Sequence, residues 1–302
     1  MRNSLVAAVV ITAFLTWSAA AASARITPLF SYGNGVHDYP IHYDGPMVHH
    51  ARAPVGKGGA LNVDVRWFGG SIQTSTVSYT IFWQPSGTFM SPTYRSLIDR
   101  FFSDVGGSDI YGMATPYYGK NGHVKNQSRF GASWTDTTAY PKRVDDRDIQ
   151  RVVRRAIAAN GWPAGMHSQF FVYTAKNAPI AGGGFCAYHS AFNHDEMPAV
   201  YAFVPYVGYV NGCDPPFGIT PNDDVDADGS ILNMSHEQME MVTDPLPGSG
   251  WFDENWGEIG DICIFAFGVP YGDGGANFVV NKHPYFLQED YSQKLHGCAP
   301  NL

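Results

Sequence analysis

Glutamate is scarce in this sequence and gathered: four of the six lie between positions 237 and 258, against 21 aspartates in the chain. The run Ser235-His236-Glu237-Gln238-Met239-Glu240 puts His236 and Glu240 four residues apart. On a helix they project from one face, one turn apart, with Glu237 beside them. The pattern is His-Glu-x-x-Glu, the zinc-protease helix with its second histidine replaced by glutamate. In that chemistry the residues at i and i+4 hold Zn²⁺, and the Glu after the first ligand takes a proton from metal-activated water. Glu258, 18 residues after Glu240, is the candidate third ligand. Asp261 is the acceptor that would fix the His236 ring through its other nitrogen. The expectation is one Zn²⁺ on His236, Glu240 and Glu258, with Glu237 as catalytic base. Two carboxylates make the ion less Lewis-acidic than two imidazoles would, and admit Mn²⁺ or Ca²⁺ more readily.

Other residues compete for roles. His189, His283 and Tyr285 are candidate cleft donors, which this chemistry needs to stabilise an oxyanion. Asp224, Asp226 and Asp228 match the first half of a calcium loop, but position 12 is Ser235 rather than a bidentate Glu. The simpler reading of that run is Asp228 capping the helix that follows. The chain has no Gly-x-Ser-x-Gly elbow for a serine nucleophile. Paired carboxylates among Asp253, Glu254 and Glu258 would suit a glycosidase, which leaves the His-Glu-x-x-Glu run unexplained.

The elements that must position these residues follow from periodicity. Gly229 to Thr243 reads as a helix with Ile231, Met234, Met241 and Val242 on its buried side, ended by Asp244-Pro245. Leu61 to Phe68 alternates like a half-buried strand, and Val77 to Trp83 reads as a more buried one. Ser91-Pro92 marks the start of a helix carrying Tyr94, Leu97, Ile98, Phe101 and Phe102, and Gly106-Gly107 its end. Residues 109–141 read as a loop with one or two strands. Asp145-Asp146 caps a second helix with Ile149, Val152, Val153, Ala156 and Ile157 inward, stopped by Asn160-Gly161. Gln169 to Thr174, Phe185 to Phe192 and Ala199 to Pro205 read as three further strands. No linker or repeat interrupts residues 61–302. The expected fold is therefore a single α+β domain, a mixed β-sheet with packed helices and a zincin-like active-site helix. An edge strand along the cleft would let an extended peptide add to the sheet.

Composition and address narrow the setting. The chain has 302 residues, 44% hydrophobic and 15% charged, with a formal charge of −8. That excludes a disordered polyelectrolyte, and without a basic run a nucleic-acid partner is not expected. Residues 1–24 carry Arg2, an apolar run from Leu5 to Trp17 and Ala22-Ser23-Ala24, the pattern of a cleaved secretory signal. The run is short for a membrane span, which needs about 20 residues. Residues 25–60, rich in Gly, Pro and His, read as an extended arm. Four cysteines allow three pairings; sequential pairing, Cys186–Cys213 and Cys263–Cys298, closes two modest loops in an oxidising compartment. A secreted, extracellular monomer is expected, acting on a peptide or protein substrate.

Several motifs resemble one family. Tyr43-Asp44-Gly45-Pro46-Met47-Val48, Trp67-Phe68-Gly69, Cys186-Ala187-Tyr188-His189, Pro221-Asn222-Asp223-Asp224, and SHEQMEMVTDPL followed by GEIGDIC resemble the secreted phosphate-induced (EXORDIUM-like) family and its microbial relatives, over roughly residues 43–302. The helix alone also resembles that of the thermolysin-like metallopeptidases (gluzincins). The second resemblance implies His236 and Glu258 as ligands and Glu237 as general base, with Glu240 where a second histidine normally stands. The first implies a secreted protein and specifies no reaction. A reading from another class is therefore kept: a non-catalytic extracellular protein that binds a cell-wall polymer or partner and carries a structural metal site.

Overall fold

The computed structural model describes residues 61–182, 185–207, 213–271 and 273–302. The expected signal 1–24, the arm 25–60 and the motif at Tyr43 lie outside the described residues. In chain order the elements are β1 (Arg66–Trp67), β2 (Thr76–Trp83), α1 (Tyr94–Asp104), α2 (Asp109–Gly112), β3 (Tyr118–Gly119), β4 (Gly122–His123), β5 (Ser128–Asp136), α3 (Asp146–Asn160), β6 (Ser168–Thr174), β7 (Tyr188–His194), β8 (Met197–Val204), α4 (Val225–Thr243), β9 (Trp251–Phe252), β10 (Phe278–Val280), β11 (His283–Tyr285), β12 (Asp290–Ser292) and β13 (Gly297–Ala299).

Five strands form one mixed sheet in the order β5-β2-β6-β8-β7. The first four run parallel, and β7 closes the margin antiparallel to β8. Central strands covered on both faces must be apolar throughout, and the aromatic and branched run of β6 is buried along its whole length. Alternation sorts its side chains. Tyr79, Ile81, Phe170 and Val172 pack with Ile149, Val152 and Val153 of α3. Phe82, Phe171 and Tyr173 pack with Phe101 and Phe102 of α1 and Met234 and Met241 of α4. The result is a single α+β domain in three layers, α3 on one face and α1 with α4 on the other. No helix among the described residues is long and apolar enough to cross a membrane.

Helix α3 has the expected ends: Asp145 and Asp148 form a capping box, and Gly161 at φ 64° takes the left-handed stop. Helix α4 departs from expectation. It begins at Val225, and Asp224 rather than Asp228 is its cap, accepting from the Ala227 amide at 3.1 Å. Ser91, expected to cap α1, lies before the actual cap position Thr93, and Ser91 Oγ and Thr93 Oγ1 donate to Asp224 Oδ2 at 2.6 and 2.5 Å, tying the two helix starts together. Gly229 lies inside α4 because a Cβ there would meet Val207 Cγ1 at 2.7 Å.

Two strand readings need correction. Of Leu61 to Phe68 only β1 pairs as a strand, with β9, because no longer partner runs beside it. Residues 109–141 hold more than the one or two strands expected: α2, the β3–β4 hairpin and the nine-residue margin strand β5. The cysteines pair sequentially, Cys186–Cys213 and Cys263–Cys298.

Candidate metal centre

Helix α4 supplies three of the site residues. Glu237 and Glu240, three apart, turn into the protein and are 5% and 3% exposed. His236 shares a face with Glu240, and its Nε2 lies 3.1 Å from Glu240 Oε1. The helix stops at Asp244, whose carboxylate accepts from the amides of Gly248, Ser249 and Gly250 at 2.6, 3.0 and 2.6 Å. That folds the Pro- and Gly-rich exit back and leads through β9 to the turn at 257–263. There Asp261 accepts from the Glu258 amide at 3.1 Å and donates its own amide to Glu240 Oε1 at 3.1 Å.

Strand β7 supplies His189, which is 3% exposed. Its Nδ1 lies 3.1 Å from Glu237 Oε2 and 3.6 Å from Glu240 Oε2. Its Nε2 lies 3.2 Å from the Asp244 carbonyl oxygen and 3.5 Å from Glu258 Oε1. Two sets of ligand atoms, each within 4.8 Å, result: His189, Glu237 and Glu240, all buried, and His236, Glu240 and Asp261, partly open. Glu240 belongs to both.

The charges in this cluster answer one another. Burial disfavours both imidazolium forms, yet the carboxylates outweigh it and hold His189 and His236 well above the usual histidine range; Glu258 acts most on His189, Glu240 most on His236. Burial likewise works against the Glu240 carboxylate, but His236 and His189 hold it below the usual range. Burial pushes Glu237 up despite His189. Burial pushes Glu258 well up, with Glu240, Asp244 and Asp261 adding to it against the pull of His189. Asp290 is pushed up to about 8, by burial and then by Glu240, with His236 opposing.

The expected ligand set is regrouped. His236 and Glu240 meet as expected, but the third carboxylate beside them is Asp261, at 3.6 Å from His236 Nε2. Glu258 is turned to the far side of His189, because the turn at Gly257 folds it there, and its Oε1 is buried without a hydrogen-bond partner. Asp261 therefore approaches the same His236 nitrogen as Glu240. The other nitrogen, Nδ1, is met by Gln288 Nε2 at 3.1 Å, which also donates to the Gly260 carbonyl at 2.7 Å. His283 and Tyr285 are placed against α1: His283 Nδ1 lies 2.6 Å from Asp104 Oδ2, and the Tyr285 hydroxyl donates to Asp104 and accepts from Arg100. The three aspartates of the calcium-like run take protein donors. Asp224 accepts from Ser91 and Thr93, Asp226 from Tyr206, and Asp228 from Thr220 and Asn222.

Four participants escaped sequence reasoning. Gln288 and Asp290 come from the segment before and within β12, with no spacing that marks them. Asp244 was legible only as the residue before Pro245. Gly260 leaves the room His236 needs: a Cβ there would lie 2.8 Å from His236 Cε1 and Nδ1.

Comparison with known proteins finds no matching family model and no matching solved structure. Over 207 aligned residues the chain is 23% identical to Protein EXORDIUM-like 3 of Arabidopsis thaliana, covering 61% of this chain and 58% of that protein. The match thus spans less than two thirds of the relative's length. This similarity supports a distant relationship to the EXORDIUM-like proteins, and with the two disulfides it fits an extracellular protein.

Proposed function

We propose that this chain is a secreted, metal-dependent hydrolase, with Zn²⁺ held in the open half of the cluster by His236, Glu240 and Asp261. The observation that carries the reading is the convergence of His236 Nε2, Glu240 Oε1 and Asp261 Oδ1 in a partly open set, next to the buried Glu237. One nitrogen and two carboxylate oxygens form a donor set that divalent zinc accepts, and Gly260 keeps the imidazole wall clear. When bound, the ion supplies a Lewis acid that makes water easier to ionise. Glu237 is the proton acceptor, held in place by His189 Nδ1 at 3.1 Å from its Oε2. Strand β7 lies at the margin of the sheet and carries His189, so an extended peptide adding to that margin would run past the cluster. Peptide is therefore the substrate class assigned, and residues 1–24 are assigned as the secretory signal.

A second reading, a non-catalytic extracellular protein with a structural ion, is favoured by the burial of His189, Glu237 and Glu240, since structural sites are closed. One experiment separates the two. Metal content and peptide-library hydrolysis are measured for wild type and Glu237→Gln. Under the first reading wild type binds zinc and hydrolyses peptides, and the variant keeps a bound ion while losing about 10²–10⁴-fold in rate, the scale of general-base catalysis. Zinc-loaded wild type without hydrolysis of any library peptide would overturn it and leave the second.

A further inference from the structure

We infer that the cluster holds two divalent cations, with the Glu240 carboxylate bridging them. The inference rests on the proposed function for the cation at His236 and adds a second at His189. Glu240 turns its two oxygens to different histidines: Oε1 is 3.1 Å from His236 Nε2, and Oε2 is 3.6 Å from His189 Nδ1. Each of those nitrogens meets one further carboxylate. Asp261 Oδ1 is 3.6 Å from His236 Nε2, and Glu237 Oε2 is 3.1 Å from His189 Nδ1. Each half therefore offers one nitrogen and two oxygens, with Glu240 common to both.

The back of His189 is arranged as it is for a metal ligand. Its Nε2 faces the Asp244 carbonyl oxygen at 3.2 Å, and a carbonyl only accepts, so Nε2 carries the hydrogen. Glu258 adds a carboxylate on the same side at 3.5 Å. Metal-bound histidines are fixed in this way by a carbonyl or carboxylate on the second nitrogen. The Nδ1 lone pair is then left facing oxygens of Glu237 and Glu240, neither of which donates when ionised. That place is filled by a proton in the metal-free chain and by a cation on loading.

Charge points the same way. Glu237, Glu240, Glu258, Asp261 and Asp290 gather around two imidazoles. Among the described residues, the ion pairs of Glu237, Glu240, Glu258 and Asp261 run to His189 and His236, with no Lys or Arg among them. Buried carboxylates are stable when paired or when they coordinate metal. Asp290, 3% exposed, keeps its Oδ1 without a hydrogen-bond partner and interacts electrostatically with both His236 and Glu240. In two-metal sites the ions lie about 3.5–4 Å apart and act together on the attacking and leaving oxygens. Ligation through Glu237 Oε2 leaves its Oε1 for the proton-acceptor role.

The test counts ions. The full secreted chain is stripped with chelator, dialysed against Zn²⁺ alone and analysed for metal, beside His189→Ala, His236→Ala and Glu240→Ala. The expected result is two zinc ions per chain in wild type, one in each histidine variant and none in Glu240→Ala. The wild-type chain loaded with Mn²⁺ should give the exchange-coupled paramagnetic resonance signal of paired ions. A single zinc, lost in His236→Ala and kept in His189→Ala, overturns the second cation and leaves the proposed function standing. A single zinc lost in His189→Ala but kept in His236→Ala overturns both, as does no zinc at all. If His189→Ala does not fold, the wild-type Mn²⁺ signal decides: isolated ions only, at saturating metal, overturn the inference.

Discussion

Gly260→Ala adds one methyl group to the most crowded wall of the site. Gly260 has φ −76° and ψ −43°, helical values that any residue adopts, so the substitution brings no backbone strain. Its Cβ would lie 2.8 Å from His236 Cε1 and Nδ1 and 3.0 Å from Glu240 Oε1. Carbon atoms meet comfortably at about 3.5–4.0 Å, so the ring or the turn must give by about 0.7 Å. The ring has little freedom, with Gln288 on one nitrogen and Glu240 and Asp261 on the other. Overpacking of this kind costs about 1–3 kcal/mol. A displaced ligand loses metal affinity on the scale of second-layer substitutions, about 10–100-fold. Urea unfolding of the metal-free chain measures the first, and competition with a chromophoric chelator measures the second. Gly297→Ala is the control, because a Cβ there meets nothing within 4 Å; it should stay within about 0.5 kcal/mol of wild type. Wild-type stability together with wild-type metal affinity in Gly260→Ala would refute the claim that this glycine is there for space.

Replacing Cys263 and Cys298 by alanine opens a loop closed across 35 residues and should cost about 3–4 kcal/mol by the chain-entropy relation; a loss below about 1 kcal/mol in denaturant unfolding contradicts it. Asp145→Ala removes the cap of α3 and one half of its capping box, with an expected loss of about 1 kcal/mol; an unchanged thermal midpoint argues that the box is ornamental. Asp99 is held above the usual carboxylate range by burial, against the opposing pull of Thr80, Ser133 and Arg95. Its stabilising share is then present when protonated and is lost as pH rises through its raised value. Asp99→Asn should flatten the acid side of the stability-against-pH curve, and superimposable curves would reject the assignment.

What the sequence disclosed depended on periodicity. Helices α1 and α3 carry a clear 3.6-residue pattern, β2 alternates, and β6 and β8 are continuous apolar runs, all over stretches long enough to read, whereas α4 is buried almost all round, beyond the one stripe its apolar residues mark. Strand β5 was hidden because its SRFGASWTD run mixes Gly, Ser and charge at a sheet margin, where exposure relaxes composition. The site was half legible. His236 and Glu240 share a face through local helix geometry, which spacing reveals. His189 is 47 positions upstream of His236, and only the sheet order brings β7 beside α4. Glu258 and Asp261 were both marked by spacing, but which of them turns toward His236 depends on the path of the backbone at Gly257, at φ 87°. Gln288 and Asp290 carry no local signature at all.

Both cystines sit next to the cluster in the chain: Cys186 three positions before His189, and Cys263 two positions after Asp261. Cys298 pairs across the β12–β13 ladder with Tyr291, the neighbour of Asp290. The segments that carry the cluster are therefore fastened by bonds that form only where thiols oxidise. On the proposed reading, oxidation of these cysteines would fix the segments of the cluster before any ion is taken up. A copy kept in a reducing compartment would have the same sequence and an unfinished site.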